Sequence, residues 1–183
     1  MRKIINSTYI SLDGVIQDPH LWPSGRHEDD GQGLQIQSDL LQGSDALLLG
    51  RKTYEGFAAV WPTRTGDPYS DHINSMRKYA VSSTLRDPQW ANTTVIADDP
   101  VAEIARLKEE PGENIVQFGF GQLSYALMEH GLLDELRLWV HPFFVGHGGP
   151  GDLLYRDAPL ATFDLADTTP LASGIVVLTY RRP

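Results

Sequence analysis

The chain has 183 residues, 41% hydrophobic and 21% charged, which fits one globular domain with a real core rather than a disordered segment. A formal net charge of -9 argues against nucleic acid or an anionic membrane surface as the main partner, while leaving room for an anionic cofactor at a local basic spot. The sequence contains no cysteine, so disulfides, thiolate chemistry and cysteine-ligated metal are excluded.

The first fourteen residues carry only a brief apolar run before Asp13, which suits neither a signal peptide nor a membrane span. A cytoplasmic protein is expected. Lys3 to Ser11 alternates and is rich in β-branched and aromatic residues, so it reads as the first strand. Ser11-Leu12-Asp13-Gly14 turns the chain out of the sheet. Gln17 to Gly33 reads as a long loop of Pro, Gly, Asp and His around Trp22, and loops of that length are usually functional. Leu34 to Gln42 has helical spacing, with Gly43 as its stop.

Ala46 to Leu49 is an apolar run of the length of a buried parallel strand. Gly50 breaks it, and a helix follows through Ala59. After a loop over Trp61 to Asp71, a short helix over Ser70 to Arg77 leads into a strand, Lys78 to Ser82, and then Thr93 to Ala97. Asp99-Pro100 starts a helix that Pro111-Gly112 ends. Ile115 to Phe118 is a short strand, and Gly119-Phe120-Gly121 leads into a helix from Gln122 to His130. Leu136 to Val145 reads as a long strand, and Phe163 to Ala166 with Ile175 to Arg181 as a closing antiparallel pair. Their connection contains Pro170 and the Ser173-Gly174 turn. Alternating strands and helices predict an α/β domain over residues 1–183, with a mostly parallel central sheet flanked by helices and an antiparallel C-terminal edge.

In such sheets ligands sit beyond the C-terminal ends of the strands. The turns at Gly50, at Ser82-Ser83 and at Gly119 all lie there. A glycine that ends a strand and opens a helix leaves free N–H groups and a positive dipole end, so Gly50, Arg51, Lys52 and Thr53 form either an anion seat or an ordinary solvated turn. Gly119-Phe120-Gly121 has half of a dinucleotide fingerprint, with Ser124 where the third glycine would stand, which disfavours a Rossmann domain. Asp29 and Asp30 are either a proton source for a buried heterocycle or a solvated acidic loop. His141 and His147 read as a strand and a loop histidine, and no metal site is expected. Trp22, Trp61 and Trp139 read as packing residues. No G-x-S-x-G elbow is present.

These stretches resemble the dihydrofolate-reductase-like superfamily, and most of all the stand-alone relatives of the reductase domain of the riboflavin-pathway deaminase-reductase. The resemblance is carried by the first strand with Ser11 to Gly14, by Leu48 to Glu55, by the strand ending at Ser82-Ser83, and by Gly119 to Leu138 with its GLLDELRL segment. It implies NADPH across the C-terminal rim of a dihydrofolate-reductase-like fold. Gly50, Arg51, Lys52 and Thr53 would touch its phosphates, Ser82 and Ser83 would lie near the adenosine 2′-phosphate, and Gly119, Gly121, Gln122 and Leu123 would form the second phosphate turn. Asp13 and Gly14 would border the nicotinamide. The implied activity is hydride transfer to a small heterocycle or conjugated carbonyl, with the proton from Asp13, Asp30 or water. Reduction of the riboflavin-pathway aminouracil and a non-catalytic nucleotide-binding module are the alternatives. A homodimer is expected, because homodimers are common among such relatives.

Overall fold

The computed structural model describes residues 1–23, 31–155, 157–158 and 160–183. The described chain forms two compact units by backbone proximity, Met1–Ile4 with Gln37–Phe118, and Ile5–Ile36 with Gly119–Pro183.

The first unit is built on strands β2 (Ser44–Gly50), β3 (Arg77–Val81), β4 (Thr93–Ile96) and β5 (Asn114–Phe118). β2 lies between β3 and β5, β4 pairs with the other side of β3, and all these pairings are parallel. A strand with parallel partners on both sides and helices over its faces must be apolar throughout. Ala46, Leu47, Leu48 and Leu49 accordingly have at most 1% exposure. The helices start where their sequences provide caps. Helix α3 (Pro68–Ser75) opens with the Asp67 carboxylate accepting from the Ser70 N–H at 2.9 Å, and α4 (Pro100–Glu109) with Asp99 accepting from Ala102 N–H at 3.2 Å. Proline follows the cap in both, where its missing N–H costs nothing.

The second unit is built on β1 (Ile4–Ser11), β6 (Glu135–His141), β7 (Asp164–Pro170) and β8 (Val176–Arg181). β1 and β6 are parallel, with Ser11 beside His141. β8 runs antiparallel to both β6 and β7. Side chains at alternate positions share a face. On one face Trp139 packs with Leu171 and Val177, and Tyr9, Ile36 and Ile175 close around them. The buried Trp139 indole N–H donates to Ser7 Oγ at 3.0 Å, so its polar atom is satisfied. Ile36 comes from α1 (Gln32–Gln42), and α5 (Gln122–Glu129) follows the turn at Gly119. These eight strands, mostly parallel with an antiparallel C-terminal pair, are the expected α/β class.

Several boundaries differ from expectation, most of them by a residue or two. The segment expected as a loop to Gly33 contains a 3-10 turn at Pro19–Leu21, and α1 already begins at Gln32. Helix α3 begins at Pro68, because Asp67 caps it. β6 stops at His141 rather than Val145. Pro142 has no N–H for a ladder, and the Phe143 N–H turns back to the His141 carbonyl at 2.9 Å. β7 starts later than expected and runs through Pro170, which the edge position tolerates. Among the described residues no helix is long and apolar enough to cross a membrane.

Candidate functional site

In the first unit two turns stand side by side. The parallel register of β2 and β3 sets Gly50 beside Val81, so the chain leaves both strands at one level. Helix α2 (Arg51–Ala58) begins directly at Gly50, and among the described residues no side chain caps its first N–H groups. They are therefore free for an anion, and the helix dipole favours one. A Cβ built on Gly50 meets nothing within 4 Å, so the approach to this turn is open. Arg51 and Lys52 are exposed and Thr53 is half-buried. The Arg51 guanidinium reaches Glu55 one turn on, at 3.3 Å, with about half of each side chain exposed (49% and 50%). A pair that open is weak and can exchange for a ligand.

After β3, Ser82 and Ser83 behave differently. Ser82 is buried, and its Oγ accepts from the Thr84 N–H at 3.2 Å and the Leu85 N–H at 2.9 Å. It shapes the turn. Ser83 is exposed beside it.

The second unit contains the remaining described positions. Gly119 has φ +73, a backbone conformation that favours glycine. Its carbonyl accepts from Asn6 Nδ2 at 2.8 Å and its N–H donates to the Ser7 carbonyl, which fixes the turn against β1. Phe120 points inward, is buried, and stands edge-on to Tyr125 at 5.1 Å. A Cβ on Gly121 would also meet open space, and the Gly121 N–H donates to the buried Ser124 Oγ at 3.3 Å. Gln122 is exposed and Leu123 half-buried at the helix start.

Asp13 lies in the turn after β1. Its carboxylate accepts from Ser11 Oγ at 2.5 Å, the Val145 N–H at 3.1 Å and the Gly146 N–H at 2.8 Å. These bonds, the one from Ser11 foremost, hold its pKa down at about 2. Asp13 thus ties the loop after β6 to the loop after β1, and it remains ionised at neutral pH. Asp29 and Asp30 lie outside the described residues.

Four rings gather at the ends of β1 and β6. His141 is central, with ring centroids 5.0 Å from Tyr9, 5.3 Å from Trp22 and 5.6 Å from Phe143. Trp22 also meets Phe143 edge-on at 5.5 Å. Each of the four is half-buried. The His141 Nε2 is buried and has no hydrogen-bond partner among the described residues. Burial lowers the imidazole pKa to about 4, so it is neutral at pH 7. Sequence reasoning assigned none of these rings a ligand role. The signal available to it was a histidine and two aromatics at the ends of neighbouring strands, which becomes visible only once β1 and β6 are paired. Among the described residues no group of three or more His, Asp or Glu could hold a metal ion.

Residues 2–177 match the family model described as the RibD C-terminal domain. Two proteins of Bacillus subtilis (strain 168) are similar along most of their length. "Uncharacterized protein YyaP" is 28% identical over 185 residues, covering 98% of this chain and 94% of that one. "Uncharacterized protein YwjB" is 32% identical over 149 residues, covering 81% and 82%. The crystal structure of a "Putative riboflavin biosynthesis protein" from Shewanella sp. PV-4 superposes with a TM-score of 0.69 at 22% identity, covering 100% of this chain and 99% of that one, which is a likeness of fold. The match to the family model runs through both units, and the chain belongs to the RibD C-terminal domain family, the dihydrofolate-reductase-like reductase domain of the riboflavin pathway.

Proposed function

We propose that the chain is an NADPH-dependent reductase for a small, flat heterocycle or conjugated carbonyl. The observation that carries this reading is the turn after β2, where uncapped N–H groups, an open glycine and two exposed cations meet at the start of α2. That set of donors suits a phosphate. Family membership supports the choice of a pyridine nucleotide over another anion.

The residues fit the cofactor at the level of donor chemistry. Gly50, Lys52, Thr53 and Arg51 would hold phosphate oxygens. Ser83, exposed beside the clamped Ser82, would meet the 2′-phosphate end. Gly119, Gly121, Gln122 and Leu123, taken within the second unit alone, form a turn whose backbone would also suit a phosphate. When bound, NADPH supplies the hydride. The chain's own work is to place the reactants and exclude water. Asp13 acts by fixing the loop at Val145 and Gly146. Its low pKa suits it poorly to donating a proton near neutrality, so the proton comes from solvent.

Arg51→Ala tests the reading. NADPH binding falls strongly and NADH binding little if Arg51 meets the 2′-phosphate, whereas equal losses place it on the shared pyrophosphate. Unchanged binding of both nucleotides removes Arg51 from the site. A charge-assisted hydrogen bond contributes roughly 1.5–3 kcal/mol, so the expected loss is on the order of ten- to a hundredfold in Kd. The ionised Asp13 also favours a second reading, a nucleotide-binding module without turnover. Tight NADPH binding with no oxidation across a panel of pterin, pyrimidine and quinone acceptors would select it.

A further inference from the structure

Asn6 and Thr8 lie on one face of β1 with 0% and 1% exposure, where packing alone would suit β-branched apolar side chains. A buried amide is costly unless its hydrogen bonds are made. The Asn6 side chain makes them in two directions. Its Nδ2 donates to the Gly119 carbonyl at 2.8 Å, and its Oδ1 accepts from the Thr8 hydroxyl at 2.7 Å. A carbonyl accepts and never donates, so the amide can face Gly119 only through its nitrogen. The Gly119 N–H donates to the Ser7 carbonyl at 3.3 Å, so the glycine is tied to β1 through both of its backbone polar groups. All of these residues belong to the second unit.

We propose that Asn6 is a positioning residue for this turn: by holding the Gly119 carbonyl it aims the Phe120 N–H at a phosphate of the nucleotide. The inference rests on the reductase reading for the ligand and on the hydrogen bonds for the role. The Gly119–Phe120 peptide is trans, and in a planar trans peptide the N–H points opposite to the C=O. With the carbonyl drawn to Asn6, the Phe120 N–H is directed away from it. That N–H has no hydrogen-bond partner among the described residues, nor have those of Gln122 and Leu123 at the start of α5. A backbone donor needs a partner, and an anion beside a helix N-terminus supplies one. A Cβ on Gly121 would meet nothing within 4 Å, so the turn is open directly beside Phe120. If the Gly119–Phe120 peptide flipped, its carbonyl oxygen would take the place of the N–H and repel a phosphate. Glycine permits such a flip more readily than any other residue. The bond from Asn6 opposes it, and the Thr8 hydroxyl holds the Asn6 amide in the orientation that makes that bond.

The test uses the full chain, with NADP⁺ and NAD⁺ as probes because the oxidised nucleotides survive acid. Asn6→Leu should weaken both by the same factor, on the order of tenfold, the loss of one hydrogen bond to a charged group. Asn6→Asp tests the direction of the bond. When protonated, the new carboxyl donates to the Gly119 carbonyl as the amide did; when ionised, it repels that oxygen. Burial raises the pKa of such a group. Affinity is expressed relative to wild type at each pH, so that the ligand's own titration cancels. That ratio should be low at about pH 8 and recover at about pH 5 in Asn6→Asp. Asn6→Leu carries no titrating group and should keep one ratio at both. In wild-type protein the Phe120 amide resonance should move on saturation with either nucleotide, a readout that survives if a variant fails to fold. Unchanged affinity in Asn6→Leu, a loss confined to NADP⁺, a flat ratio in Asn6→Asp, or a Phe120 amide that does not move overturns the proposal. If wild type binds NADP⁺ in such a case, the reductase reading stands without it. If wild type binds neither nucleotide, both fall.

Discussion

Lys78 shows how a single residue is governed by its surroundings. It has 0% exposure on β3, its ammonium donates to the Asn74 carbonyl, and it sits 4.5 Å from the centre of the Trp90 ring. Asn74 is itself held, giving its amide to the Trp61 carbonyl at 2.9 Å and accepting from the Trp90 indole at 2.8 Å. Burial lowers the Lys78 pKa from 10.5 to about 8. The unfolded chain therefore keeps this proton up to about pH 10.5 while the folded chain gives it up near pH 8. Between those values the unfolded state binds more protons, so stability rises with pH, and the gain is lost as pH falls through 8. Urea midpoints of wild type and Lys78→Met should accordingly diverge across that window, with wild type gaining on the variant as pH rises. Parallel profiles would show that the cation is better solvated than its burial indicates. A lysine at the start of KYAVS gave no hint of this, because a strand pattern does not say which positions lose water altogether. His141 was opaque for the same reason. Its neighbours Tyr9 and Trp22 are more than a hundred residues away in sequence.

At the scale of elements, starts were more legible than ends. Gly50, Asp99-Pro100 and Gly121 each carry a local physical cause, an uncapped turn, a side-chain cap or an open backbone, and each opens a helix where expected. The end of β6 depends on a remote residue. The apolar run Phe143 to Val145 looks like more strand, yet the N–H groups of Val145 and Gly146 are taken by Asp13. Asp13→Asn replaces one carboxylate oxygen with a donor and removes the charge. Faster amide exchange at Val145 and Gly146 is expected, together with a lower melting temperature at neutral pH. The sign follows from the pKa. Lowered from 3.8 to about 2 in the folded chain, Asp13 contributes stability that is present above pH 3.8 and lost as pH falls through 2. The difference between wild type and variant should shrink over that window. Unchanged exchange would mean that the loop is held by its own packing.

At the scale of the whole molecule, the α/β class and the parallel-then-antiparallel arrangement followed from the order of the elements, since the apolar runs at Ala46 to Leu49 and Ile115 to Phe118 were strands and helices followed each of them. The outermost strand was the least legible. β7 reads DLADTTP, with neither apolar alternation nor a buried face, and every residue in it but Thr169 is exposed. Among the described residues it pairs with β8 alone and leaves a row of unpaired backbone groups. Such a row could template a foreign strand and seed aggregation. Three features stand against that: the carboxylates of Asp164 and Asp167, a register shift between Leu165 and Asp167, and Pro170 at the end. Exposed Leu165 is the one sticky position among them. Asp167→Val, which removes a charge and favours extended chain, should leave the fold intact and raise light scattering on storage; a clear solution would show that the irregular register protects the edge without it. The polarity that hid this strand from pattern reading thus also works against pairing of its free edge with a foreign strand.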